Sequence, residues 1–251
     1  MKQRTLALII ALLACATTAP AASYSWLGIG TTNNWTDAGN WWNLTTGPTA
    51  VAPAAGDFAY IGFPAGDFSG TPRPVINTVL YTVGAPLTYL SMDYWDASQA
   101  PENSQLTIAA GGGLEVSNTL MNFQGQETAT INITGGYLRS HNQLQMAVTA
   151  GGTSQINIDS GFMVAQTLFF GPGTSNIDLE LGAALYIGGD QTANMASWIS
   201  SGKISGGSGS LSVQYDLTAI PGYTHVYAIP EPSAAALLGF VALAVLRRRR
   251  R

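Results

Sequence analysis

The sequence predicts an all-β protein whose body is a parallel β-solenoid, and three observations predict it. First, a short motif recurs: Leu106-Thr107-Ile108, Ile131-Asn132-Ile133, Ile156-Asn157-Ile158 and Ile177-Asp178-Leu179, with first residues 25, 25 and 21 positions apart. Second, each triplet alternates apolar, polar, apolar, the period of a strand with one buried face. Third, Gly 29 and Pro 12 make up about one residue in six of the 251, which favours turns over helices. Small residues follow each triplet and lead into a second apolar stretch. These are Gly111-Gly112-Gly113 before Leu114 to Val116, Gly135-Gly136 before Tyr137-Leu138, Ser160-Gly161 before Phe162 to Val164, and Gly182 before Leu185 to Ile187. One such unit cannot bury its own apolar face, but stacked units share a continuous core. Roughly five or six coils about 4.8 Å apart would make a rod of about 25–30 Å. Thr107, Asn132, Asn157 and Asp178 would face outward in ladders, Asn132 over Asn157 being the best candidate. A two-sheet β-sandwich is the competing architecture, since short strands with Gly-rich turns suit it too. The near-constant spacing favours the solenoid.

Residues 1–21 read as a secretory signal peptide. Lys2 and Arg4 form the charged start, Leu6 to Ala16 an apolar stretch of eleven residues, and Ala19 and Ala21 the small-residue cleavage site. A spanning helix needs about 20 apolar residues, so removal is the better reading. Its implied partners are the Sec translocon and signal peptidase. The one cysteine, Cys15, lies inside this segment, where Leu12-Leu13-Ala14-Cys15 loosely resembles a lipobox. Cleavage after Ala21 would leave a mature chain without cysteine, excluding disulfides and thiol catalysis.

Residues 22–71 form an aromatic-rich N-terminal cap. Tyr24, Trp26, Trp35, Trp41 and Trp42 fall close together among Asn and Thr. Trp26, Trp35 and Trp41 are expected to plug the first coil, because large aromatics bury much area per residue. Trp42, facing opposite to Trp41 in a strand, and Trp95, in Asp93-Tyr94-Trp95-Asp96, are the candidate glycan-contacting residues. Tyr24-Ser25-Trp26-Leu27-Gly28, Asn34-Trp35, Asn40-Trp41 and Gly56-Asp57-Phe58-Ala59 together resemble the opening of autotransporter-associated and related secreted bacterial β-solenoids. That resemblance implies a surface protein and no particular reaction.

Residues 72–189 hold the repeats, and 190–229 a capping helix and hairpin. Asp190 is placed to cap a helix from Gln191 to Ser200 that closes near Gly202. Leu211, Val213, Tyr215 and Leu217 alternate as a strand, Pro221-Gly222 turns the chain, and Tyr223 to Ile229 returns. The hairpin would cover the exposed end of the last coil.

Residues 230–251 read as an address. Pro230-Glu231-Pro232-Ser233 precedes thirteen apolar residues, Ala234 to Leu246, and then Arg247, Arg248, Arg249, Arg250 and Arg251. Thirteen helical residues reach about 20 Å, against a hydrocarbon core of about 30 Å. Such a segment suits transient retention in the inner membrane, with the arginines held in the cytoplasm. The three parts in order resemble the PEP-CTERM sorting signal of exopolysaccharide-producing Gram-negative bacteria. The resemblance implies processing by an exosortase, a membrane transpeptidase-like enzyme, and delivery to the cell surface or exopolysaccharide matrix. An ordinary C-terminal anchor is the alternative.

Charge narrows the function. Between the two ends lie only Arg73, Arg139 and Lys203 against thirteen acids, a net charge of −10. Nucleic acid, which needs clustered cations, is not an expected partner. No cofactor or metal is expected: the two histidines, His141 and His225, are far apart, and no zinc, EF-hand or phosphate-loop pattern is present. No nucleophile elbow occurs either. A polysaccharide lyase, a chemistry known among parallel β-solenoids, has one candidate constellation, Arg139 with Asp159 and Asp178, on a body that would attract an anionic polymer poorly. The sequence therefore predicts a non-enzymatic surface or matrix structural protein. A glycan-binding module built on the N-terminal aromatics is the alternative, and a lyase the remote one.

Overall fold

The computed structural model describes residues 21–48, 51–62, 73–92, 103–122, 128–207, 209–218 and 220–230. Its strands stack in three parallel ladders. The first ladder runs β5 (Val75–Ile76), β8 (Ser104–Ala109), the start of β10 (Thr128–Met146), the start of β11 (Thr153–Ala165), β13 (Thr174–Leu179) and β15 (Ile204–Gly206). The second takes β6 (Val79–Leu80), the start of β9 (Gly113–Met121), the middle of β10, the end of β11 and β14 (Ala183–Gly188). The third takes β1 (Ser23–Trp26), β4 (Phe58–Ile61), β7 (Leu87–Met92), the ends of β9 and β10, and β12 (Leu168–Phe170). Parallel register throughout these ladders decides for stacked coils over the antiparallel sandwich.

Alternation in the sequence becomes alternation in burial. Leu106, Ile131, Ile156, Ile177 and Ile204 lie directly over one another and are fully buried. A second inward column holds Ile76, Ile108, Ile133, Ile158 and Leu179. On the second ladder Leu114, Leu138, Met163 and Leu185 fill the same role. Each such side chain contributes about 1.5–3 kcal/mol through burial, and a slip by one residue would turn the column out to solvent.

The corner between the first and second ladders needs glycine. Gly111, Gly135, Gly161 and Gly182 all have positive φ, from 78° to 106°. At Gly161 a Cβ would also collide with the carbonyl of Gly136 on the coil below. These are the small residues that separate the paired apolar stretches in the repeat, and they turn the chain where a side chain would not fit.

The last coil departs from the repeat in an instructive way. Between Ile177 and Ile204 the third strand is replaced by helix α1 (Thr192–Ser200). Met195 is buried, and Trp198 packs edge-on against Phe170 at the end of the third ladder, 5.3 Å between centroids. The expected start at Gln191 moves by one residue, with Asp190 accepting from Thr192 N at 3.0 Å and Thr192 Oγ1 at 2.6 Å. Gly202, at φ 73°, ends the helix in a Schellman arrangement, with Gly202 N bonded to Ile199 O and Lys203 N to Trp198 O.

Both ends are closed by antiparallel strands. At the N-terminal end β2 (Trp41–Asn43) pairs with β1, and β3 (Gly47–Pro48) with β2. At the other end β17 (Tyr223–Pro230) pairs with the edge of β14, and β16 (Gly209–Tyr215) pairs with β17. The predicted hairpin thus covers the last rung of the second ladder, where an open edge would invite pairing with another chain.

Candidate functional site

The inward columns are nearly uniform, so any specificity must lie on the caps or the outer faces. In the N-terminal cap, Trp26, Trp35 and Trp41 are buried, as expected of a plug, and meet edge-to-face with centroids 5.2 Å and 4.7 Å apart. Trp41 Nε1 donates to Trp35 O at 2.7 Å, and Trp35 Nε1 to the Tyr81 hydroxyl at 3.2 Å. Tyr81 in turn donates to Pro53 O at 2.8 Å, and burial pushes its pKa up to about 12. Buried Asn40 joins Gly30 N to its side-chain oxygen and donates to Thr32 O; Asp57 accepts from Ala22 N and Ala54 N. Asp37 gathers Thr32 N, Thr32 Oγ1 and Gly39 N, and the bonds from Thr32 hold its carboxyl below the usual range. The residues that carry the N-terminal sequence pattern therefore brace the cap.

Trp42 is half-buried in β2, opposite in direction to Trp41, with its ring beside Gly47. Trp95 lies outside the described residues. Pro230 is exposed at the end of β17, opposite Gly209. Glu231, Pro232, Ser233 and Arg247 to Arg251, like the predicted leader and apolar tail, also lie outside them. Among the described residues no helix is long and apolar enough to cross a membrane, and no group of three His, Cys, Asp or Glu is placed to hold a metal ion.

The outer face of the first ladder is polar, with one acid, Asp178, in its column. Thr107, Asn132, Asn157, Asp178 and Ser205 stand in register. Asn157 Nδ2 donates to Asn132 Oδ1 at 2.8 Å, Gln155 Nε2 to Asn157 Oδ1 at 2.8 Å, and Ser205 Oγ to Asp178 Oδ1 at 2.6 Å. The expected pairing of Asn132 and Asn157 is present, and the outward column continues in register one rung further than the repeat suggested, to Ser205.

The outer face of the second ladder is different. Its register aligns Glu115, Arg139, Val164, Tyr186 and His225 in one column. Glu115 points outward yet its side chain is only 4% exposed, covered by its neighbours. His141 Nε2 lies 2.6 Å from Glu115 Oε2, and Arg139 Nη1 3.6 Å from Glu115 Oε1. Burial, then the Glu115 carboxylate, raises the pKa of the adjacent Tyr137 phenol. Tyr137 stacks on Phe162 at 5.2 Å; Tyr186 stacks on His225 at 4.6 Å, and His225 on Tyr227 at 4.8 Å. Between these two stacks Phe162 meets Tyr186 edge-on, and Ala184 is the residue that follows Phe162 on the next rung. A groove of about 390 Å³ opens there, lined by Val83, Arg139, His141, Phe162, Val164, Tyr186, Ile220 and Tyr223.

The sequence presents His141 and His225 only as two histidines far apart; the structure brings His141 to Glu115 beside Arg139 and stacks His225 on Tyr186. The lyase constellation is not assembled: Arg139 pairs with Glu115 on the second ladder, Asp178 bonds Ser205 on the first, and Asp159 is exposed at the bulge between them. The missed signal was the position directly after each inward residue of the second stretch, where Glu115, Arg139, Val164 and Tyr186 change character while Leu114, Leu138, Met163 and Leu185 stay apolar. Comparison with protein-family models, curated proteins and solved structures finds no match for the chain.

Proposed function

We propose that this is an exported, non-enzymatic structural protein of the cell surface or exopolysaccharide matrix, sorted through its C-terminal segment. The observation that carries the reading is the order Pro230-Glu231-Pro232-Ser233, thirteen apolar residues and five arginines. A leader at the other end supplies export through the Sec translocon, with signal peptidase removing residues 1–21, and an exosortase-type enzyme acts near Pro230. The body suits the role: coils closed at both ends resist edge pairing, and rows of Asn, Thr, Ser and Asp offer many weak contacts to a hydrated polymer. Pro230 stands exposed at the end of β17, where a processing enzyme could reach the chain that follows it.

The second reading is a glycan-binding module. Its N-terminal form now rests on half-buried Trp42, because Trp26, Trp35 and Trp41 are used inside the cap.

Intact mass tests the sorting reading directly. Protein from the matrix fraction of native cells is expected to lack both the leader and the residues beyond the neighbourhood of Pro230. A single membrane-bound form that still carries Arg247 to Arg251 would overturn processing and make the tail a plain anchor.

A further inference from the structure

We infer that the groove between Phe162 and Tyr186 is a binding site for a carboxylate-bearing sugar residue of an acidic polysaccharide. This goes beyond the sorting reading and involves neither Trp42 nor Trp95. The argument begins with charge. A body carrying −10 attracts an anionic polymer poorly at long range, so recognition has to be local: the groove holds one of the three cations, Arg139, and one of the two histidines, His141. The single acid at that place, Glu115, is buried and engaged by His141. Arg139 sits beyond hydrogen-bond reach of Glu115, a third of its side chain is exposed, and among the described residues its guanidinium donates no hydrogen bond. A fork of N–H donors, partly exposed and lining a groove, matches a second carboxylate.

The rest of the groove is apolar and aromatic. Buried Val164 separates Arg139 from Tyr186 along the column, so cation and ring stand two rungs apart, about 9.6 Å. One pyranose ring spans that interval, with a C–H face on Val164 and the aromatic edges and its carboxylate toward Arg139. His225 fixes Tyr186 from behind by parallel stacking, and Tyr223 is held by donating to Gln166 Oε1 at 2.7 Å. A volume near 390 Å³ lies in the range of small-molecule sites, about 300–1,000 Å³. The groove lies open on the outer face of a rod, so neighbouring sugars of a long chain can continue past it.

Calorimetric titration of the purified full chain with trigalacturonate, galactotriose and glutarate tests the assignment. Trigalacturonate is expected to bind, with about tenfold or greater loss of affinity in Arg139→Gln and in Phe162→Leu. Ser197→Ala, exposed on α1 and outside the groove lining, is expected to leave binding unchanged. Melting curves of the variants, measured alongside, separate lost binding from lost folding, and Phe162→Leu keeps an apolar side chain on that rung. Equal binding of galactotriose would overturn the role of the carboxylate, and equal binding of glutarate the role of the sugar ring. No binding of trigalacturonate at millimolar concentration would overturn the site. The readout is taken on isolated protein, so it stands or falls independently of how the C-terminus is processed.

Discussion

The first and second ladders share a backbone and a column of buried aliphatics, yet they present opposite outer faces. On the first, Asn157 bonds Asn132 and Ser205 bonds Asp178 along the ladder. On the second, Glu115, Arg139, Val164, Tyr186 and His225 occupy equivalent outward positions and change from charge to apolar to aromatic along the rod. The inward columns supply the stability of a stack, so outward positions are free to vary in chemistry. The difference shows where selection has room to act: one face repeats, the other is built from unlike residues around a groove.

The comparison breaks first if the inward columns are unequal. Ile156→Ala on the first ladder and Leu185→Ala on the second are each expected to cost about 2–5 kcal/mol. Urea unfolding checks this, and a loss on one ladder only would show that the ladders are not equivalent supports. Next come the corners that join the ladders. Gly161→Ala meets both a φ of 90° and the Gly136 carbonyl, and is expected to cost about 2–4 kcal/mol. Gly182→Ala has the same φ in open space and should cost about 1–2 kcal/mol. Thermal melts of the pair would expose an error in the stacking if the order reversed.

Smaller effects separate the outer faces themselves. Asn157→Ala removes the bonds to Asn132 and Gln155, and is expected to lower stability by about 1 kcal/mol without changing any ligand binding at the second ladder. His225→Phe is the smallest change and acts through pH. Burial lowers the pKa of His225 below 6.5, and neither ring nitrogen has a hydrogen-bond partner among the described residues. As pH falls below 6.5 the unfolded chain takes up the proton first. The stability owed to neutral His225 is therefore present above that pH and declines as pH falls through the folded-state value. His225→Phe, which preserves the stack on Tyr186, is expected to flatten that part of the profile; an unchanged slope between pH 7.5 and 5.5 in urea midpoints would contradict it.

The stacking was legible because one physical rule produces it: apolar residues two apart, repeated at 25-residue intervals, can be buried only in register. Ile131 over Ile156 and Asn132 over Asn157 follow from that spacing alone. Ile204 was missed because α1 stands where the last coil's third strand would be and stretches the interval to 27 residues. Trp26, Trp35 and Trp41 were legible as a plug through their size. The groove was not, because Glu115 lies 26 residues before His141 and meets it and Arg139 only when the second ladder aligns them.

The central claim is an in-register stack whose two outer faces differ, and a distance along the first ladder tests it most directly. Thr107 and Ser205 lie four rungs apart on one straight outward column, about 19 Å. Spin labels at cysteines in these two positions, with Cys15 replaced by serine, should give a narrow pulsed-EPR distance distribution centred near that value, broadened by the label linkers alone. A centre well beyond it, or a broad distribution with no dominant peak, would contradict the stacked coils and with them the groove that the second ladder assembles.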